Sequence, residues 1–458
     1  MFSKDFKWGV ATSSYQIEGA ANEDGRGPSI WDTFSATPGK VVNGESGLVA
    51  NDHYHLYKDD VALMKGLGVK AYRLSIAWPR LFPAGDKVRE ERGFDFYNKL
   101  MDELIAAGIE PVVTLYHWDL PQALEDKGGW ADRQILDAFE HYATAVAEAF
   151  GDRVKMFSPI NEPWCVAWLG YGLGIHAPGV QDYSKAIAAA HHTVVAHNKA
   201  TRAIKSVRPD ALVGPVLNQS LADIDDISDP KQRRAALVFD TNQNTFWMDG
   251  IFRGEYPATA FEIYGKDLEN VIQPGDLEPV ENDWLGINYY NNVRIGYEIE
   301  AVAGRPVSHI EHFAGHSFES APFGDLTDMG WPINPAGIGN LLSRWTREFK
   351  GIVPPMYITE NGAAFDEEPD EFGEVKDDRR ISYLNDHIRE VGRAIDRGAN
   401  VGGYFQWSLM DNFEWAEGYG KRFGIVHVDF ETQKRTLKNS AKFYAEVVAT
   451  NGESLRDR

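Results

Sequence analysis

Cysteine is nearly absent: Cys165 is the only one in 458 residues. A single thiol excludes an internal disulfide and a thiolate metal cluster, and it is compatible with a reducing compartment. Cationic residues are also scarce, with 46 Lys and Arg against 68 Asp and Glu, a formal net charge of −22. That balance argues against nucleic acid or an anionic membrane as partner. No window of the sequence approaches a membrane span, and residues 1–9 contain no apolar stretch of signal-peptide length. The expectation is therefore a cytoplasmic protein. No Pro/Ser-rich linker, low-complexity tract or internal repeat divides the chain, so residues 1–458 are read as one domain. No Gly-rich fingerprint opens a helix after a strand and there is no Walker loop, so no nucleotide cofactor is indicated. His53, His55, His191, His192 and His197 lack the partners and spacing of common zinc motifs, and no metal site is expected.

Aromatic residues, by contrast, make up 12% of the chain, with 13 Trp and 19 Tyr. Their flat apolar faces and polar edges suit the C–H faces and hydroxyls of sugars, although any one Trp is more often core than site. Apolar, β-branched runs at 7–12, 71–77, 111–116, 156–160, 212–217, 284–289, 356–359 and 402–408 read as strands. Stretches of helical periodicity lie between most of them, at 56–67, 94–107, 133–150, 183–208, 230–250, 338–349 and 381–397. Eight such strands match the count of a closed parallel (β/α)8 TIM barrel, an α/β fold with its active site where strands end and βα loops begin. The irregular, polar region 296–330 reads as a long loop over one barrel face.

Two of these strand ends carry a carboxylate. Asn161-Glu162-Pro163 follows one apolar run and Thr359-Glu360-Asn361-Gly362 another, with Pro163 ending strand pairing and Gly362 expected to permit a sharp turn. A charge at the edge of a core must be paired or hydrogen-bonded, so the alternative for either Glu is a structural ion pair, with Arg73 as one partner. Brought together by a barrel, the pair suits glycosidic bond cleavage. Carboxyl groups roughly 5–5.5 Å apart would mean retention and roughly 6.5–9.5 Å inversion. Other strand ends add Gln16, His117, Trp118, Asn161, Asn218, Asn288, Tyr290, Trp407, Glu414 and Trp415, side chains with the donors and acceptors that hydroxyls need.

Several motifs together resemble glycoside hydrolase family 1, the β-glucosidase family, along the whole chain. They are residues 6–20, Tyr116-His117-Trp118-Asp119-Leu120-Pro121, Asn161-Glu162-Pro163, Gly286-Ile287-Asn288-Tyr289-Tyr290, Tyr357-Ile358-Thr359-Glu360-Asn361-Gly362 and residues 407–415. The resemblance implies a retaining double displacement, with Glu360 as nucleophile and Glu162 as acid/base, supported by Arg73, Asn288 and Tyr290. It further implies that Gln16, His117, Trp118, Asn161, Trp407, Glu414, Trp415 and Phe423 bind the nonreducing sugar. Trp331 resembles the leaving-group platform, with Trp168, His176 and Asn218 in the same outer subsite. The implied substrate is a small β-glucoside or cello-oligosaccharide, with galactosides and fucosides as further candidates, and no cofactor is needed. Glu414 stands where a 6-phospho-β-glycosidase branch has a phosphate-binding Ser and Lys, and its charge would repel a phosphate; Lys421 follows in the same stretch. A transglycosylase, a 6-phospho-β-glucosidase and a non-catalytic sugar-binding barrel are the competing readings, and a homo-oligomer is allowed. Cys165 reads as a small buried apolar residue.

Overall fold

The computed structural model describes residues 2–299, 308–319 and 324–455. Eight short strands form the centre: β1 (Lys7–Ala11), β2 (Ala71–Ser75), β3 (Glu110–Tyr116), β4 (Met156–Ile160), β5 (Leu212–Val213 and Val216–Asn218), β6 (Leu285–Asn288), β7 (Met356–Asn361) and β8 (Val401–Trp407). All pair in parallel, and β1 lies between β2 and β8. The two halves of β5 are the two ends of the sheet. Leu212–Val213 pairs with β4, whereas Val216–Asn218 pairs with β6. Only Gly214 and Pro215 separate them, so the sheet closes into a barrel. Pro215 has no N–H for the ladder, and a Cβ on Gly214 would lie 2.1 Å from the Trp284 carbonyl oxygen. Both residues explain why the stave breaks there.

The side-chain period of two divides each strand between two apolar layers. Tyr72 and Leu74 of β2 face the surrounding helices and join the main core. Ala71 instead belongs to a second cluster with Ala11, Val112, Met156, Val216, Trp284 and Phe405, drawn from alternating positions around the ring. Arg73 and Ser75 share the Ala71 face of β2, so a buried guanidinium stands over an apolar barrel floor.

The predicted helices are present, several starting about a turn earlier than expected, such as His53–Leu67, Glu91–Ala107 and Asp378–Asp396. The expected helix at 230–250 is three pieces, with a π-helical segment Thr241–Thr245 between Pro230–Asp240 and Phe246–Phe252. Region 296–330 is not a plain loop. Val293–Glu298 and His316–Glu319 pair antiparallel, Ala222–Asp223 adds a third strand, and helix His309–Ala314 packs nearby. The remainder of that region, 300–307 and 320–323, lies outside the described residues. No helix among the described residues is long and apolar enough to cross a membrane.

Candidate active site

Arg73 at the third position of β2 reaches past its neighbours β1 and β3 to β7 and to the residue after β4. Its Nη1 donates to Glu360 Oε1 at 2.6 Å and its Nη2 to Asn161 Oδ1 at 2.7 Å. Tyr290 Oη donates to the other oxygen of Glu360, also at 2.6 Å. The two carboxylates, 198 positions apart, are joined through a chain of contacts. Asn288 Nδ2 lies 3.0 Å from Asn161 Oδ1 and 2.7 Å from Glu162 Oε1. The ion pair named as the alternative for Glu360 is present, since Arg73 does pair with it.

The backbone at both carboxylates is irregular. The pairing of β7 with β6 shifts register between Ile358 and Glu360, and such bulges re-aim side chains. As a result Thr359 also reaches the site, its Oγ1 donating to Asn288 Oδ1 at 2.6 Å. That bond orients the amide so that Nδ2 faces Glu162. Glu162 has φ +49°, a left-handed conformation that is costly for a residue with a Cβ. It is held from both sides, by Glu162 N donating to Val216 O at 3.0 Å and Val166 N donating to Glu162 O at 3.2 Å. Gly362 does not take a positive φ; its lack of a side chain matters because a Cβ would sit 1.7 Å from the Trp407 carbonyl oxygen. Close approach of β7 to β8, rather than a turn, demands glycine there.

The electrostatic environments of the two glutamates differ. Burial, and next the charge of Glu360, push Glu162 up to about 7, against partial relief from Asn288, Cys165 and Arg73. Burial raises Glu360 also, but Arg73 and Tyr290 oppose it directly. Arg73 is 1% exposed, and a buried cation without its counterion is costly by several kcal/mol. The shared negative charge of the pair therefore rests on Glu360, and the proton on Glu162.

Several of the polar and aromatic residues singled out in the sequence surround this pair. His117 is sandwiched between Trp407 and Trp415, with ring centroids at 5.8 and 5.9 Å. Asn161 Nδ2 contacts His117 Nε2 at 3.2 Å, and burial, then Arg73, hold the ring well below its usual pKa. An amide N–H can only donate, so Nε2 accepts and the ring hydrogen is assigned to Nδ1, which is buried with no protein partner. Glu414 Oε2 is likewise buried and unpartnered. Gln16 Nε2 donates to Phe413 O at 2.8 Å and to Asn412 Oδ1 at 3.0 Å, tying β1's loop to the loop that carries Glu414. Trp118 N–H is already committed to Asn161 O at 3.0 Å, so its ring rather than its nitrogen is available.

On the outer side, Trp331, Tyr290 and Phe423 pack as an aromatic trio with centroids 5.4–6.1 Å apart. His176 lies between Trp31 and Trp118, and burial lowers its pKa to about 4. Trp168 stacks on Tyr264 and tilts against Tyr183. Asn218 ends β5 with its Oδ1 buried and unpartnered. Lys421 Nζ donates to Asp328 O at 2.7 Å. His53 and His191, read as lacking carboxylate partners, do contact Asp60 and Asp276, each at 2.8 Å. Those pairs are closed by Arg435 and Arg133, and no cluster of three or more metal-ligating side chains occurs among the described residues.

The sequence profile of glycosyl hydrolase family 1 matches residues 1–453. The chain belongs to this family. Beta-glucosidase A of Thermotoga maritima is 44% identical, with 98% of each chain aligned. A bifunctional beta-D-glucosidase/beta-D-fucosidase of Bifidobacterium breve is 40% identical, again over 98% of each. Among solved structures, the Thermotoga maritima β-glucosidase in complex with deoxynojirimycin superposes with a TM-score of 0.93 at 44% identity, covering 98% of this chain and 99% of that one. Within the family frame, two contacts escaped the sequence reading: Thr359 to Asn288, and Cys165 Sγ to Glu162 Oε2 at 3.1 Å. The first is hidden by the bulge; the second arises because Glu162 stands just before the helical turn that carries Cys165, with Val166 N donating back to Glu162 O.

Proposed function

We propose that the chain is a retaining β-glucosidase acting as one catalytic domain over residues 1–458, without cofactor, on terminal nonreducing β-D-glucosyl residues. The observation that carries this reading is the unequal holding of two buried glutamates. Glu360 is kept anionic by Arg73 and Tyr290, whereas Glu162 has only neutral direct donors and is raised to about 7. Glu360 attacks the anomeric carbon as Glu162 protonates the leaving oxygen. Once Glu360 is esterified its charge is gone, Glu162 ionises more readily, and it takes a proton from the water that hydrolyses the glycosyl-enzyme.

His117 Nδ1, Glu414, Gln16, Asn161 and the Trp415 indole supply the hydroxyl contacts, while Trp407 offers its face and Phe423 an apolar wall. Trp331 is the leaving-group platform; Trp168, His176 and Asn218 bound the outer subsite, which takes an aryl or cello-oligosaccharide leaving group. Glu414 and the commitment of Lys421 to a backbone carbonyl disfavour a 6-phosphosugar. The names of the relatives favour glucosides, with fucosides as a second substrate, and the single thiol suits a cytoplasmic location.

Proton NMR of an aryl β-D-glucoside during hydrolysis tests the reading. β-Glucose appears first, before mutarotation; α-glucose first would overturn the roles of both carboxylates.

Glu414 yields a separate expectation for stability. Burial and the charges of Glu360 and Glu162 push it up to about 8. Between roughly pH 4.5, the unfolded carboxyl range, and 8, the native state holds a proton that the unfolded chain releases. Its stabilising contribution is complete below that window and is lost as pH rises through it. Glu414→Gln removes the ionisation. Thermal unfolding of the variant is expected roughly 2 °C above wild type at pH 8, with a smaller difference at pH 4, and with weakened glucoside turnover. Equal differences at both pH values would contradict it.

A further inference from the structure

The two oxygens of Glu162 are held by different chemistry. Asn288 Nδ2 lies 2.7 Å from Oε1, and an amide nitrogen only donates, so Oε1 is an acceptor in both protonation states. The proton of the neutral carboxyl is thereby assigned to Oε2. The polar neighbour of Oε2 among the described residues is Cys165 Sγ at 3.1 Å. A thiol is a weak donor and a weak acceptor, and its S–H turns about the Cβ–Sγ bond. Cys165 is buried, and burial together with the charge of Glu162 raises its pKa well above the ordinary range. It keeps its proton throughout and always has one to offer.

We propose that Cys165 is a positioning residue for the acid/base: its S–H points away from protonated Oε2, then turns to donate to the Oε2 carboxylate between the half-reactions. This rests on the assignment of Glu162 above. In the first half-reaction the Oε2 proton passes to the leaving oxygen as the glycosidic C–O bond breaks, and the thiol S–H takes up the acceptor just created. In the second, water gives a proton to Oε2 as its oxygen bonds the anomeric carbon and the bond to Glu360 breaks. The S–H bond is then released again. Cys165 ends each cycle with its own proton, and no electrons move at sulfur.

The charged and titratable groups around Glu162 are Glu360, Glu414, Arg73, Tyr290 and Cys165. Of these, Cys165 is the one whose direct contact favours the ionised form of Glu162, alongside the neutral Asn288. Deleting that donor should raise the pKa of Glu162, whereas a purely packing role would leave it in place.

The test is the alkaline limb of kcat/KM for an aryl β-D-glucoside, measured on the full chain as wild type, Cys165→Ala and Cys165→Ser. The Ala variant is expected to move the limb up by roughly half a pH unit, with kcat lowered and KM little changed. The Ser variant, a stronger donor, is expected at or below the wild-type limb. An unmoved limb in Cys165→Ala, or a Ser limb above wild type, overturns the proposal. If the Ala variant does not fold, the Ser comparison decides alone. Glu162→Gln is measured beside them: a retained alkaline limb there means that the acid/base assignment itself has failed, whichever way Cys165 behaves.

Discussion

Glu360→Gln is expected to lower kcat on an aryl β-glucoside by at least about 10⁴-fold, because no other group can form the covalent intermediate. The amide keeps an oxygen to accept from Arg73, but it leaves the buried guanidinium without a counterion. Circular dichroism must therefore show the variant folded before the rate is interpreted. Glu360→Gly, which opens space at the same position, provides the directional check. Azide entering from the nucleophile's side should restore turnover and give the α-glucosyl azide, the product of one inversion. Near-normal turnover by the Gln variant, or a β-azide from the Gly variant, would remove Glu360 from the nucleophile's role.

Glu162→Ala should produce a loss graded by the leaving group. A strongly acidic phenol departs without a proton, so kcat/KM for its glucoside should fall by no more than about tenfold. For a sugar or alkyl leaving group the fall should reach roughly 10²–10⁴-fold, the usual range for general acid catalysis. The acidic phenol should appear in a burst followed by slow turnover, since the glycosyl-enzyme then lacks its base. Azide, attacking from the face that Glu162 vacated, should yield β-glucosyl azide, the opposite anomer to the Glu360→Gly product. The alkaline limb of kcat/KM near pH 7, expected from the raised pKa of Glu162, should vanish in this variant. A uniform loss across leaving groups would indicate that Glu162 positions substrate instead of transferring protons.

The barrel was legible because its strands are nearly continuous apolar runs ending in turns, and a buried parallel sheet requires that pattern. Glu162 and Glu360 stood out for the same reason, as charges where such runs stop. What escaped depended on geometry that a local pattern does not carry. The break in β5 is set by the approach of Gly214 to Trp284, a residue some seventy positions away. Thr359 should face away from Glu360 by simple alternation, and only the bulge in β7 lets Thr359 reach Asn288 while Glu360 reaches Arg73. Region 296–330 looked irregular because its strands are short, polar and paired outside the barrel. Cys165 was read from its apolar character, which burial bears out, but its sulfur also faces a carboxylate. His191 and Asp276 are far apart in sequence, so spacing rules had no means of anticipating their contact.

The closure of the ring also governs when the protein becomes competent during synthesis. β1 pairs with β8 from Lys7↔Gly403 to Ala11↔Trp407, and Tyr444 Oη donates to Gly9 O at 2.7 Å. β1 thus waits for a strand almost four hundred positions later before its second edge is covered, and contacts of such long sequence separation form slowly. A nascent chain that has already emerged past Glu360 holds both glutamates but lacks Trp407, Glu414 and the strand that seals the barrel. Until then β1 exposes an unpaired parallel edge of Val10 and its neighbours, the kind of surface chaperones shield. The proposed site is complete only once β8 and the loop carrying Glu414 have joined β1.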